Sequence, residues 1–151
     1  MNVMLSHLYL NDGSAEELQV FRRTIETAYT ALAIDAASES DLAAIQKALE
    51  TFREKYQAHT LEASDDIAFH NQILLATHNA FLISLGSALN ELFSETIAVS
   101  INLNPQIAMS DHEEICRAVL CRDKDAAFAA ICKSAEQWAA AFKIQKPPQE
   151  A

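Results

Sequence analysis

Residues 14–37 read SAEELQVFRRTIETAYTALAIDAA, and this stretch shows most clearly which class of fold the chain adopts. Apolar side chains recur along it at steps of three and four residues, at Leu18, Phe21, Ile25, Tyr29 and Leu32. That spacing places them on one face of an α-helix. Ser14 followed three residues later by Glu17 has the spacing of a capping box, which marks a helix start. The stretch therefore predicts a helix over residues 15–37 with one face turned towards a core.

The same helical pattern continues through the rest of the chain. It predicts five further helices, over about residues 39–59, 64–78, 79–103, 110–121 and 123–143. Their predicted caps are Ser38, Ser64, a capping box of Ser110 with Glu113, and Asp123, and the pair Asn104-Pro105 ends the fourth helix. The fourth helix is apolar around much of its surface, which indicates a central helix or a subunit interface.

Turn residues are scarce, which excludes most other architectures. The 151 residues include only two glycines and three prolines, too few for a sandwich, a barrel or a doubly wound sheet. Short connections between helices favour antiparallel neighbours. The sequence therefore predicts an all-α fold, an antiparallel bundle of about six to seven helices. The expected organisation is a linker arm (residues 1–14), one domain (15–143) and a flexible tail (144–151).

Charge and hydropathy exclude further classes of function. The formal net charge is −10, and this would repel a phosphate backbone, so we do not expect this stretch to bind DNA or RNA by itself. No run approaches eighteen uninterrupted apolar residues, and residues 1–10 lack the features of a secretory signal. We therefore expect no membrane association and a cytoplasmic location.

A few polar residues fall on helix faces that are otherwise apolar. Asp66 and His70 are four residues apart and share a face with Ile73 and Leu74, while His112 shares a face with Ile115. One carboxylate and two imidazoles are the ligand types of a transition-metal site with open positions. The alternative is an ordinary Asp–His helix pair and a hydrogen-bonded core histidine.

Arg22 follows the apolar pair at residues 20–21 in the first helix. An inward arginine is suited to clamp a carboxylate ligand, because its planar fork matches the two oxygens. A plain salt bridge to Glu26 or Glu17 is the alternative.

Several short motifs, taken in order, resemble one known family. They are FRRTIE at residues 21–26, DIAFH at 66–70, Asn79, DHEEICRA at 111–118 and RDKDAA at 122–127. Together they resemble the FCD domain, the C-terminal effector-binding domain of the FadR branch of GntR-type bacterial transcription regulators. The resemblance covers about residues 15–143. It implies a non-enzymatic sensor that binds a small carboxylate metabolite and forms a homodimer, for which the first and fourth helices are our candidates.

The resemblance also implies a set of site residues. In metal-binding members a divalent cation of the Zn, Ni or Mn type is held at positions that correspond here to Asp66, His70 and His112. The usual fourth ligand, a histidine, is replaced by Ser134, which is a weak ligand. Arg22, Ser134 and Asn79 are the expected effector-binding residues.

The family's regulators bind DNA through an N-terminal winged helix-turn-helix, and residues 1–14 hold nothing that could form one. DNA contact is therefore expected only through a domain outside this chain. Two other functions stay open from the sequence. One is a metal-dependent enzyme built on Asp66, His70 and His112, although no general base stands beside them. The other is a non-catalytic helical interaction module. No catalytic residue is predicted.

Overall fold

The computed structural model describes the backbone of residues 14–144 and the side chains of residues 16–141. Six helices account for the regular structure of this part, namely α1 (Ser14–Ala36), α2 (Glu39–Gln57), α3 (Ala63–Leu75), α4 (Ala80–Leu103), α5 (Pro105–Leu120) and α6 (Lys124–Ile144). The described residues contain no strand, so the all-α prediction is confirmed. The predicted linker and tail lie, apart from one residue each, outside the described residues. Among the described helices, none combines the length and apolar character needed to cross a bilayer.

The helices pack in pairs around a shared interior. α1 lies mainly against α6, α3 lies mainly against α4, and α2 packs against both α3 and α5. The larger core cluster draws on all of these except α4, with Phe52, Phe69 and Ile131 almost fully buried. A second cluster joins α4 to α1 and α6 through Phe93, Ile97 and Trp138. The site described below lies where these two clusters meet.

Helix boundaries follow the predicted caps in some places and depart from them in others. The capping box at Ser38 and Asp41 is present, while the side chain of Ser14 lies outside the described residues. α3 begins after Glu62, whose N–H donates to Asp65 Oδ2 at 2.9 Å, so the predicted Ser64 cap is wrong. α5 begins at Pro105 and not at Ser110, because a proline in the first turn needs no amide partner and is already in helical geometry.

Three connections use left-handed residues other than glycine. His59, His78 and Arg122 have φ values of 56°, 52° and 54°, and each stands just after a helix. α3 ends at Leu75, three residues before His78, so this helix is shorter than the predicted 64–78. The guanidinium of Arg122 donates hydrogen bonds to the carbonyl oxygens of Ile34 and Ala37, at 2.6 and 2.7 Å. These hydrogen bonds cap the C-terminus of α1. The chain thus forms its turns with few glycines.

The buried face of α1 differs from the predicted apolar stripe. Phe21 and Leu32 are 39% and 48% exposed, and the predicted inward position of both is wrong. The face that contacts the interior carries Leu18, Arg22, Glu26, Tyr29 and Ala33. Phe128 of α6 is 57% exposed as well. Two charged residues, Arg22 and Glu26, lie on the inward face of α1. A prediction from the apolar side chains alone therefore places the buried face at the wrong angle around the helix axis.

Replacing Asp41 by asparagine tests the cap of α2. Hydrogen bonds from Ser38, with a smaller effect of His78, lower the pKa of Asp41 to about 2, against about 3.9 for an unperturbed aspartate. A lowered folded-state pKa stabilises the fold above about pH 4, and this contribution is lost as the pH falls towards 2. We expect Asp41→Asn to reduce the free energy of unfolding by about 1 kcal/mol at pH 7 and by less at pH 3. Urea denaturation at the two pH values measures both.

The control is Glu50→Gln, which changes an exposed carboxylate on the same helix. It should leave the free energy of unfolding almost unchanged at either pH. An equal loss for Asp41→Asn at both pH values would show that the charge of Asp41 does not contribute.

Candidate functional site

Three buried side chains meet between α3 and α5. Asp66 and His70 extend from α3 and His112 from α5, and one ligand atom of each lies within 4.8 Å of the other two. Each residue is at most 5% exposed. The i,i+4 spacing on α3 puts Asp66 and His70 on one face, and the packing of α5 brings His112 opposite them. The structure therefore brings together the three residues that the sequence singled out as metal ligands.

The ring of His112 is fixed in place by its neighbours. Its Nδ1 lies 2.6 Å from the Ala108 carbonyl oxygen, which can only accept, so Nδ1–H is the donor. The ring stacks on Phe52 with centroids 4.3 Å apart and meets Phe69 edge-on. In the neutral ring this hydrogen bond leaves Nε2 with a free lone pair directed at the cluster.

The ring of His70 is also held in place, by a contact to its Nδ1. The Tyr29 hydroxyl lies 3.3 Å from Nδ1, and Nε2 lies 3.8 Å from Asp66 Oδ1. Burial lowers the pKa of His70, although Glu26 and Asp66 oppose this, so the ring is neutral at pH 7. A neutral imidazole with an outer hydrogen bond on one nitrogen is the form in which histidine binds a metal.

Asp66 carries the negative charge of the cluster. Burial would raise its pKa, but the nearby His112, together with His70 and Arg22, outweighs burial and holds the pKa of Asp66 well below its usual range. For His112 burial lowers the pKa, and the Asp66 carboxylate more than reverses this. The pair therefore favours a positive charge between the carboxylate and the imidazole.

Two atoms of the cluster have no hydrogen-bond partner among the described residues. They are Asp66 Oδ1 and His112 Nε2, both buried. Nε2 is 3.2 Å from Asp66 Oδ2, but this contact lacks the geometry of a hydrogen bond. A buried polar atom without a partner is costly. A cation placed between a carboxylate and two imidazole nitrogens would remove that cost, so these residues fit a divalent transition metal.

A cavity adjoins the cluster and extends towards α4 and α6. Asp66 and His112 line it, Arg22 reaches it from α1, and Ser134 and Trp138 reach it from α6. The space between the side chains amounts to about 330 Å³ with its opening, of which only about 20 Å³ can hold a water-sized group. In this conformation the cavity has room for an ion or a water but not for an organic acid.

Comparison with known families decides the assignment. The family described as the FCD domain matches residues 17–136, which is most of the chain. The chain belongs to the FCD domain family. FCD domains are the effector-binding regulatory domains of GntR-family transcription regulators, so the broad class of function is ligand-dependent regulation. A comparison with curated proteins finds no match.

Arg22 of this FCD domain both pairs with Glu26 and lines the cavity. Its Nε–H donates to Glu26 Oε1 at 2.8 Å, and both side chains are about 5% exposed. Its guanidinium carbon lies 4.7 Å from the ring centroid of Trp138, a cation–π contact. Burial opposes its charge, but Glu26 and Asp66 outweigh burial and raise the pKa of Arg22. Among the described residues its side chain makes only the Nε hydrogen bond, which leaves the Nη groups for a ligand.

Asn79 does not reach the cavity of the FCD domain. Its side-chain oxygen accepts from the N–H groups of Phe81 and Leu82, both at 3.1 Å, and caps the start of α4. Of the three residues expected to bind the effector, the cavity contains Arg22 and Ser134. The predicted Asn79 is a capping residue at an exposed position, which is what its place before an apolar helix favours.

The cavity also contains three polar residues that the sequence did not single out, Ser100, Asp111 and Gln137. The Gln137 amide nitrogen donates to both Asp111 oxygens, at 2.7 and 2.6 Å, in the orientation that satisfies its hydrogen bonds. Burial raises the pKa of Asp111 to about 6, against the effect of Lys133. The signal was present, because Asp111 precedes Ile115 and Val119 by four and eight residues and so lies on the inward face of α5.

Glu26→Gln tests the buried ion pair. Removing one partner leaves the Arg22 charge uncompensated in the interior, so we expect the free energy of unfolding to fall by about 3 kcal/mol. The control Glu17→Gln changes an exposed acid on α1 and should alter it by less than about 0.5 kcal/mol. Chemical denaturation measures both variants. Equal effects of the two substitutions would show that the Arg22–Glu26 pair does not hold the site together.

Proposed function

We propose that this FCD domain is a sensor, not an enzyme, and that it binds a small carboxylic acid in the cavity between Arg22 and a metal held by Asp66, His70 and His112. One observation carries the proposal. The unpartnered Asp66 Oδ1 and His112 Nε2 belong to side chains that line the same cavity as Arg22, whose Nη groups are without a partner among the described residues. The two orphaned atoms are costly in an empty protein and become favourable when a cation is bound, and the Arg22 guanidinium is placed to pair with an anion.

The metal of this proposal is a divalent transition ion of the Zn, Ni or Mn type. Mixed imidazole and carboxylate ligands favour such ions over Ca²⁺ or Mg²⁺. Ser134, at the position of the usual fourth ligand, lines the cavity and is a weak ligand, so coordination positions are left for water or an effector. When bound, the ion would supply a positive charge that attracts the effector carboxylate.

Charge balance supports a carboxylate as the effector. Asp66 and Glu26 contribute two negative charges and Arg22 one positive charge, while His70 is neutral and the charge of Asp111 is offset by Lys133 at 3.9 Å, which leaves one net negative charge around the neutral form of His112. A divalent cation would change this to one net positive charge. A monocarboxylate would then neutralise the site, and buried charges are tolerated when they are paired.

The contacts of Arg22 suit its guanidinium to hold that carboxylate in a fixed orientation. Glu26 binds its Nε and the Trp138 ring supports its flat face, so the guanidinium has little freedom left. The Nη groups can then offer a planar fork to two carboxylate oxygens. Little side-chain entropy would be lost on binding, because the arginine is already ordered.

Binding would be transmitted by movement of the helices that form the cavity. Its free volume of about 20 Å³ is smaller than any organic acid, so an effector must push its walls apart. Only a ligand that binds the open conformation more tightly than the closed one shifts the equilibrium. In a complete cytoplasmic regulator this shift would change the positions of winged-helix domains on DNA. The net charge of −10 supports the view that DNA contact comes from such a separate domain.

The proposed homodimer would use apolar side chains on the outer faces of α1 and α4. Val20 and Leu32 on α1 are 49% and 48% exposed, and Phe81 and Leu85 on α4 are 89% and 52% exposed. Exposed apolar groups of this size are typical of interaction surfaces. A second copy of the domain is the partner we propose for them.

Ligand-induced stabilisation tests the sensor proposal. With Zn²⁺ present, acetate, glycolate and glyoxylate serve as probes, and we expect at least one of them to raise the melting temperature. A ligand at a hundred times its dissociation constant adds about 2.7 kcal/mol. Arg22→Lys keeps the charge but removes the fork, so we expect this variant to lose most of the response. The control Arg23→Lys, at the neighbouring position on α1, should keep it. A response that is equal in both variants, or absent in the parent protein, contradicts the proposal.

The dimer is tested by light scattering after size-exclusion chromatography. We expect the parent chain to run as a dimer and Phe81→Glu to shift it to a monomer, because a buried glutamate pair at the interface is unfavourable. Phe128→Glu introduces the same charge at an exposed phenylalanine of α6 and should leave the dimer intact. A monomeric parent protein would overturn the dimer proposal.

A further inference from the structure

The corner between α4 and α5 consists of residues 102–107, and all six of them are exposed. Only Asn104 separates the two helices, and it caps both the end of α4 and the start of α5. Ile101 before the corner and Met109 after it are buried, at 3% and 6% exposure. The corner therefore lies outside the core, between two positions that are fixed in it.

Few interactions hold the first turn of α5 in place. The side chain of Asn104 forms no capping hydrogen bond among the described residues, and Pro105 has no amide hydrogen to donate. The Asn104 carbonyl oxygen accepts from the amides of Ile107 and Ala108 together, at 3.1 and 3.2 Å. α5 packs mainly on α6 and α2 and only lightly on α4. A helix start without a side-chain cap and with exposed side chains opens at a low cost in free energy.

The corner borders two spaces. Ile107 belongs to the lining of the central cavity, whereas Asn102 and Pro105 belong to the lining of a surface crevice beside the C-terminus of α2. Ile101 lines both spaces. The cavity has only about 20 Å³ of free volume, while the crevice has about 150 Å³. The crevice therefore provides room into which this wall of the cavity can move.

The first turn of α5 also sets the orientation of a residue of the cluster. The Ala108 carbonyl oxygen accepts from His112 Nδ1–H at 2.6 Å, and the Ala108 amide donates to the Asn104 carbonyl. Two hydrogen bonds thus connect Asn104 to the His112 ring through a single residue. If this turn moves away, the ring loses the partner that directs its Nε2 at the cluster. Opening the corner would therefore loosen the cluster at the same time as it opens the cavity.

We propose that the α4–α5 corner is a lid on the cavity, hinged at Asn104, which opens into the crevice and controls the exchange of the metal. This inference rests on the proposed function, because it takes the metal held by Asp66, His70 and His112 as the occupant. The structure shows the closed lid, in which the His112 ring is aligned for the ion. Only this conformation presents all three ligands together, so metal binding favours the closed lid.

Hydrogen exchange of single amides, followed by NMR, tests the lid in the metal-free full chain. The amides of Ala108 and Leu42 are a matched pair, because each donates to the carbonyl of the residue that caps its helix, Asn104 for α5 and Ser38 for α2. The Ser38 cap includes a complete capping box. We expect the Ala108 amide to exchange at least about tenfold faster than the Leu42 amide, because local opening exposes it. Equal exchange of the two amides would show that the corner does not open.

The rate of metal release tests whether the lid controls exchange. A chromogenic chelator in excess removes Zn²⁺ from the loaded full chain in a stopped-flow experiment, and calorimetry measures the dissociation constant. Asn102→Phe places a ring in the crevice, so we expect it to slow binding and release alike, by at least about fivefold, with the dissociation constant unchanged within about twofold. A lid alters the barrier and not the two end states, whereas a change in the folded site would alter affinity.

Two further variants complete the comparison. Leu103→Phe adds the same ring at the neighbouring exposed position, which does not line the crevice, and it should release Zn²⁺ at the parent rate. Asn104→Gly makes the hinge easier to bend, so it should speed both binding and release.

The outcomes separate the lid from the function on which it rests. If Asn102→Phe releases Zn²⁺ at the parent rate, the lid is wrong and the metal site stands. If Asn102→Phe weakens affinity and leaves the binding rate unchanged, the corner has only a structural role and the lid is again wrong. If the parent chain binds no Zn²⁺, the proposed function and the control of metal exchange both fail, whatever the amide exchange shows.

Discussion

The negative charge of Asp66 in the middle of the bundle is the constraint around which the site is organised. A helical bundle would normally fill this place with an apolar side chain, since an unpaired buried carboxylate is strongly unfavourable. Here Asp66 has His112 at 3.2 Å and His70 at 3.8 Å, and one of its oxygens has no hydrogen-bond partner among the described residues. The surrounding groups hold the imidazoles in place through their outer nitrogens, by means of Tyr29 and the Ala108 carbonyl. Such a cluster is costly in itself and becomes favourable when it holds a cation.

Next to that cluster, α1 and α5 each place one charged side chain at the cavity. Arg22 on α1 is neutralised by Glu26 one turn later and supported by the Trp138 ring, so it brings a fixed guanidinium to the cavity. Asp111 on α5 brings a carboxylate to the same cavity, held by Gln137 of α6. The cavity is therefore lined by charged side chains of both signs, and its free volume is small. This combination suits a ligand with an anionic group, whose binding would require α1, α5 and α6 to move apart.

The sequence predicts the helical class, the number of helices and the three residues of the cluster, because each depends on local spacing. Asp66 and His70 share a face through their i,i+4 relation, and His112 lies on the same face of its helix as Ile115. The family resemblance then joins the three as one ligand set. What depends on tertiary packing was predicted less well. Phe21 and Leu32 were assigned inward because apolar residues were assumed to define the buried face of α1, whereas Arg22 and Glu26 occupy it. Asp111 was missed because an acid on an amphipathic helix is usually solvated, and only the packing of α6 buries it.

Metal binding to chelator-treated protein tests the central claim most directly. Isothermal titration with Zn²⁺ and Ni²⁺ should give one equivalent per chain, and His70→Ala should abolish or strongly weaken it. His78→Ala is the matched control, since this histidine is exposed and lies outside the cluster, and it should bind like the parent chain. Our account predicts stoichiometric binding that depends on His70 and not on His78. Binding that is absent in the parent chain, or equally strong in both variants, would contradict it.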